Sequence, residues 1–120
     1  MMLRPLLLIA LASGACAHTT ATFSPSGADR FPARPAGCAL DAFVTPPSRP
    51  FQEIGVFDVR NRGLDQAGTL DRLRALVNAQ ACQAGADGII AAANGVGIYV
   101  QAVAFRWTAP APGQSVPPPQ

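Results

Sequence analysis

Lysine is absent from this chain of 120 residues, whose nine basic side chains are all arginine and face seven acids for a formal net charge of +2. The missing lysine reads as base-composition bias, and so small an excess of charge excludes the basic stripe that a nucleic-acid partner needs. Histidine occurs once, at His18, beside the leader described below. A general base must be held by packed neighbours, so no catalytic residue is assigned and the chain is expected not to be an enzyme. One histidine, three cysteines and scattered single carboxylates form no ligand cluster, so neither a metal nor a cofactor is expected. No Cys-x-x-Cys occurs, which argues against a redox-active dithiol. No apolar run approaches the roughly 20 residues that span a bilayer. Apart from Pro5, every proline lies between Pro25 and Pro50 or from Pro110 onward, which leaves Phe51 to Ala109 free of proline, and that window is where a fold is most expected.

The sequence opens with Met1-Met2-Leu3-Arg4, an apolar run from Leu6 to Ala12, and the small residues Ser13-Gly14-Ala15-Cys16. These are the parts of a secretory signal peptide, expected over residues 1–15. Cys16 at the end of the small stretch resembles a bacterial lipobox, in which the cysteine receives a diacylglycerol and becomes the first residue of the mature chain. The pattern prefers leucine three positions before the cysteine, where this chain has Ser13. Cleavage by the ordinary signal peptidase after Ala15-Cys16-Ala17 is the alternative, and it would release a soluble periplasmic or secreted protein. The expected partner is therefore the membrane, through a lipid on Cys16. The expected location is the outer membrane, facing the periplasm.

Residues 16–37 are rich in Pro, Ser and Thr and read as a disordered tether. A folded region is expected over residues 38–108. Cys38 to Val44 alternates like a strand, Thr45 to Pro50 forces an irregular crossing, and Phe51 to Arg60 reads as a second strand. Thr69 offers an N-cap hydroxyl, and Leu70 to Ala84 holds neither Gly nor Pro. Leu70, Leu73, Leu76, Val77, Ala81 and Ala84 share one stripe of that helix, with Cys82 on a separate flank. Gly85 takes the C-terminal cap, so Gly85-Ala86-Asp87-Gly88 is a turn into a strand rather than a phosphate loop. Asn94-Gly95 signals a hairpin between Gly88–Ala93 and a long strand over Ile98–Trp107. Both faces of that last strand are apolar, which predicts a central position, and Tyr99, Phe105 and Trp107 share one face as a core layer. Residues 109–120 form a Pro-rich tail read as disordered. The expected fold is α+β, one helix packed on a small, mostly antiparallel sheet in the order β-β-α-β-β.

With Cys16 given to lipid, Cys38 and Cys82 remain as a pair, and an exported compartment is where pairs oxidise. A disulfide between them is expected; two buried free thiols are the alternative. The passage from Ala81 to Ile90, followed by a turn and a strand, resembles small bacterial envelope lipoproteins, among them the outer-membrane lipoprotein sensors of the Rcs stress-signalling system. That resemblance implies an acylated cysteine, a proline-rich tether and a disulfide-braced α+β domain. The sensors carry four domain cysteines, and this chain has two, so at most one bridge carries over, onto Cys38 and Cys82. The functional expectation is a non-catalytic envelope lipoprotein that binds or senses protein. The alternative is a structural envelope component.

Overall fold

The structure is a computed structural model and describes residues 18–109. The signal peptide expected over residues 1–15 and Cys16 fall outside the described residues, as do residues 110–120 of the expected tail. Five strands and one helix follow one another as β1 (Thr20–Pro25), β2 (Asp41–Phe43), β3 (Phe51–Arg60), α1 (Leu70–Gln83), β4 (Gly88–Ala93) and β5 (Tyr99–Trp107). The strands form a single sheet in the order β1-β3-β5-β4-β2. Only the β2–β4 pair is parallel. The α+β class and the mostly antiparallel sheet are as the sequence predicts, and β5 is central.

The expected order β-β-α-β-β lacks one strand, which lies in the supposed tether. Thr20–Pro25 pairs antiparallel with β3 in the register Thr20↔Arg60 to Pro25↔Gly55. Phe23 packs on Phe57 with ring centroids 4.9 Å apart. Thr19 is buried at the start of this strand. Its hydroxyl donates to the Asp65 carbonyl and accepts from the Arg62 amide at 3.2 Å. The rest of the supposed tether is bound to the helix. Arg34 donates its amide to the Cys82 carbonyl at 2.7 Å. Asn78 accepts from the Gly37 amide and donates to the Cys38 carbonyl, both at 3.0 Å. The six residues form a strand here because Thr20, Thr22 and Ser24 alternate with Ala21 and Phe23, and because β3 supplies a ladder partner along the whole length.

The helix forms as its local signals direct. Thr69 caps it, accepting from the Arg72 amide at 3.2 Å, and Asp71 lies in its first turn. Gly85, with φ +82°, ends it in the left-handed region that glycine tolerates best. Leu73, Val77 and Ala81 of the expected stripe are fully buried. They meet Phe57, Ile89, Ala91, Ala102 and Ala104 of the sheet in one cluster. Cys82 does not sit on an independent flank. It is fully buried in the same cluster and disulfide-bonded to Cys38, with Cα atoms 5.9 Å apart. The crossing of residues 34–38 over the last turns of α1 brings the two sulfurs together. The β4–β5 connection is a five-residue loop over 94–98 rather than a two-residue turn. Its left-handed residue is Gly97, not Gly95, and the Asn94 carboxamide accepts from the Val96 and Ile98 amides.

Closing a loop of 44 residues constrains the unfolded chain by about 4 kcal/mol in the chain-entropy account. Reduction of the bond is therefore expected to cost roughly 2–5 kcal/mol, read as a lower urea midpoint with and without reductant. A tether would tolerate substitution. A strand would not, so Phe23→Ala is expected to cost about 2–4 kcal/mol and Thr19→Ala about 1–2 kcal/mol in urea unfolding.

Candidate functional site

One helix covers one face of the sheet, and side chains alternate between faces along each strand. Phe57, Ala102, Ala104, Ile89 and Ala91 turn towards α1. Their alternates Val56, Val103 and Ile90 stand on the other face and are half-buried. Register brings Phe43 beside Ile90, Gly88 beside Phe105, and Phe51 beside Trp107 on that same face. Four aromatic rings thus gather at the end of the sheet where β5 finishes.

Phe105 is the centre of the group. It is fully buried, yet it is not part of the helix-side cluster. Its ring centroid lies 4.8 Å from that of Trp107, 5.3 Å from Phe51 and 6.1 Å from Phe43. Phe43 and Trp107 meet edge to face at 6.0 Å and 85°. Tilted and edge-to-face pairs of this kind contribute roughly 0.5–1.5 kcal/mol each beyond the area they bury. Gly88 makes the approach possible, since a Cβ there would lie 2.5 Å from Phe105 Cζ.

Polar groups fix the rim. The indole of Trp107 donates to the Asp41 carboxylate at 3.1 Å, and its backbone amide donates to the Asp87 carboxylate at 2.8 Å. Arg34 stands 3.7 Å from Asp87 and donates to the Ala86 carbonyl at 2.7 Å. The Arg49 guanidinium lies 4.3 Å from the Trp107 ring centroid, a cation–π contact, while its Nε donates to the Ala109 carbonyl at 2.7 Å. The indole is therefore held by a carboxylate, a guanidinium and two rings. Phe43, Phe51 and Trp107 remain half-exposed around it.

The expected single layer of Tyr99, Phe105 and Trp107 is divided. Tyr99 packs against the helix-side cluster, whereas Phe105 and Trp107 belong to the other face. The register shift between Ala92 and Ala93, opposite the start of β5, breaks the alternation there. Phe43 and Phe51 had no signal of membership in the sequence, because a parallel pairing and a long antiparallel register bring them in.

Of the residues expected to carry chemistry, Cys38 and Cys82 are joined to each other. Cys16 lies outside the described residues. Among the described residues no three His, Cys, Asp or Glu side chains converge. A cleft of about 370 Å³ opens between β1 and the end of α1, with Phe23, Phe31 and Ile54 in its wall. Asp29 and Arg30 are its titratable lining residues, and such a cleft offers packing with one charge of each sign. No helix among the described residues is long and apolar enough to cross a membrane. Comparison with protein families, with curated proteins and with solved structures found no match to this chain.

Phe105→Ala is expected to cost about 3–5 kcal/mol, because it empties the centre of a filled group. Val103→Ser, two residues earlier on the same face, is expected to cost under about 1 kcal/mol in the same urea titration, because that side chain is already partly in water.

Proposed function

We propose that this chain is an exported, lipid-anchored envelope protein of non-catalytic type, which binds a protein partner through the aromatic group on the sheet face that α1 leaves uncovered. The observation that carries the binding reading is the placement of Phe43, Phe51 and Trp107. They are half-exposed, rigidly packed on Phe105, and polar at the rim. Aromatic side chains with few rotamers lose little entropy on contact and dominate the energetic centres of protein interfaces. Half-buried Val56, Ile90 and Val103 extend the same face by an apolar strip.

The compartment is argued from two features that agree. The leader ends on Cys16 with small residues before it, and the Cys38–Cys82 bond belongs to an oxidising environment. A lipid at Cys16 adds a diacyl anchor, which meets the requirement of more than one chain for stable attachment. The outer membrane, with the domain on the periplasmic side, is the proposed site.

Two measurements test this reading. Mass spectrometry of the mature amino terminus is expected to find an acylated Cys16, and an unmodified chain starting at His18 would overturn the anchor. A photocrosslinker replacing Val103 in intact envelopes is expected to give a discrete protein adduct that Phe51→Asp abolishes. The same probe replacing exposed Ala79 on α1 should give none. Equal capture from both positions, or none from Val103, would overturn the binding face.

A further inference from the structure

The opposite end of the sheet has a different character. Asp58 of β3 is paired with Gln101 of β5, and Ala93 of β4 with Tyr99, so residues 61–69 and the 94–98 loop leave the sheet at the same end. The two loops are joined. The Tyr99 amide donates to the Ala67 carbonyl at 2.9 Å, and the Asn61 carboxamide donates to the Tyr99 carbonyl at 2.8 Å. This end carries the most exposed large apolar side chains among the described residues, Leu64 at 105% and Val96 at 82%. Val100, at the start of β5, is 38% exposed. Arg60 and Arg62 are exposed beside them and enter no ion pair among the described residues.

Scattered exposed apolar residues are ordinary on protein surfaces. What distinguishes these is where the chain enters. Thr19 is buried at this same end, clamped between the Asp65 carbonyl and the Arg62 amide. Two residues, Ala17 and His18, separate Cys16 from Thr19, and the three peptide steps between them span at most about 11 Å. A Cys16 carrying lipid therefore lies within about 11 Å of Thr19, whose hydroxyl is hydrogen-bonded to the loop that carries Leu64. The 22-residue tether expected over 16–37 would have left the domain free to hang in any orientation; a strand starting at Thr20 does not.

The geometry points to this end of the domain as a membrane-docking surface, seated on the anionic phospholipid face of the bilayer that holds the Cys16 anchor. Leu64 and Val96 enter the boundary between headgroups and acyl chains, and Arg60 and Arg62 lie among the phosphates. Burial of side chains that the fold leaves wholly in water, together with attraction of arginine to anionic headgroups, favours this seat. The anchor removes most of the entropic cost of arrival, because the surface is already within reach. The domain then stands on the bilayer with its strands pointing away. Trp107 lies eight residues along β5 from Tyr99, which carries the aromatic group about 26 Å farther out.

This inference rests on the lipid-anchored reading of Cys16, and the experiment separates the two. Leu64→Trp and, independently, Val96→Trp are made in the full acylated mature chain. Each is reconstituted into vesicles of phosphatidylethanolamine and phosphatidylglycerol carrying brominated acyl chains. The introduced indole is expected to lose several-fold more emission than native Trp107, which reports the far end of the same molecule. If the acyl group is verified by mass and both introduced indoles emit as strongly as without bromine, docking is overturned while the anchor stands. If no acyl group is found, the unacylated mature chain is added to the same vesicles. Quenching there supports docking although the anchor reading has failed, and its absence overturns docking as well.

Discussion

A five-stranded sheet has two faces, and the described residues hold a single helix with which to cover them. Everything distinctive about the molecule follows from that shortage. The helix side is closed conventionally, by Leu73, Val77 and Ala81 against Phe57, Ile89 and the small residues of β4 and β5. Alanines at 91, 102 and 104 let the helix lie close to the sheet, so a small domain builds a dry layer from few large side chains. The other face has no helix and is stabilised by packing aromatic rings on one another. That solution hides Phe105 completely, but it leaves Phe43, Phe51 and Trp107 half in water. A face so constructed is both a structural element and a surface with the composition of an interface centre.

The disulfide acts on the helix side. It fastens the segment before β2 to the last turn of α1, and the hydrogen bonds of Asn78 and Arg34 hold the same crossing. Residues 34–38 thereby become a strap across the last turns of the helix instead of part of a spacer. Small domains bury too little apolar surface to be stable by core alone, and a covalent strap restricts the unfolded chain by an amount comparable with total net stability. The bond, the buried Thr19 and the added edge strand together draw the folded region to within a few residues of Cys16.

The two ends of the sheet then have separate characters. At one lie buried Thr19, Leu64, Val96, Arg60 and Arg62; at the other lies the aromatic group with its rim of Asp41, Asp87, Arg34 and Arg49. In the proposed lipid-anchored arrangement, the end nearest Cys16 and the end with the aromatic group would have these two different surfaces.

Local chemistry was legible in the residues themselves. Thr69 before a run free of Gly and Pro, and Gly85 after it, determined α1, because capping and helix closure involve neighbours within four positions. The strands over 51–60 and 99–107 declared themselves by alternation, and the pairing of Cys38 with Cys82 followed from counting sulfurs. Thr20–Pro25 alternates Thr20, Thr22 and Ser24 with Ala21 and Phe23, a short period-2 signal masked by the surrounding Pro, Ser and Thr, and tertiary structure alone supplied its partner β3, thirty to forty positions downstream. Tertiary structure alone also assembled Phe43, Phe51, Phe105 and Trp107, which come from β2, β3 and β5 and are brought together through β4 by one parallel and two antiparallel registers. A strand's own alternation shows which face it buries but not which distant segment it pairs with, so no reading of either segment by itself could have found the other.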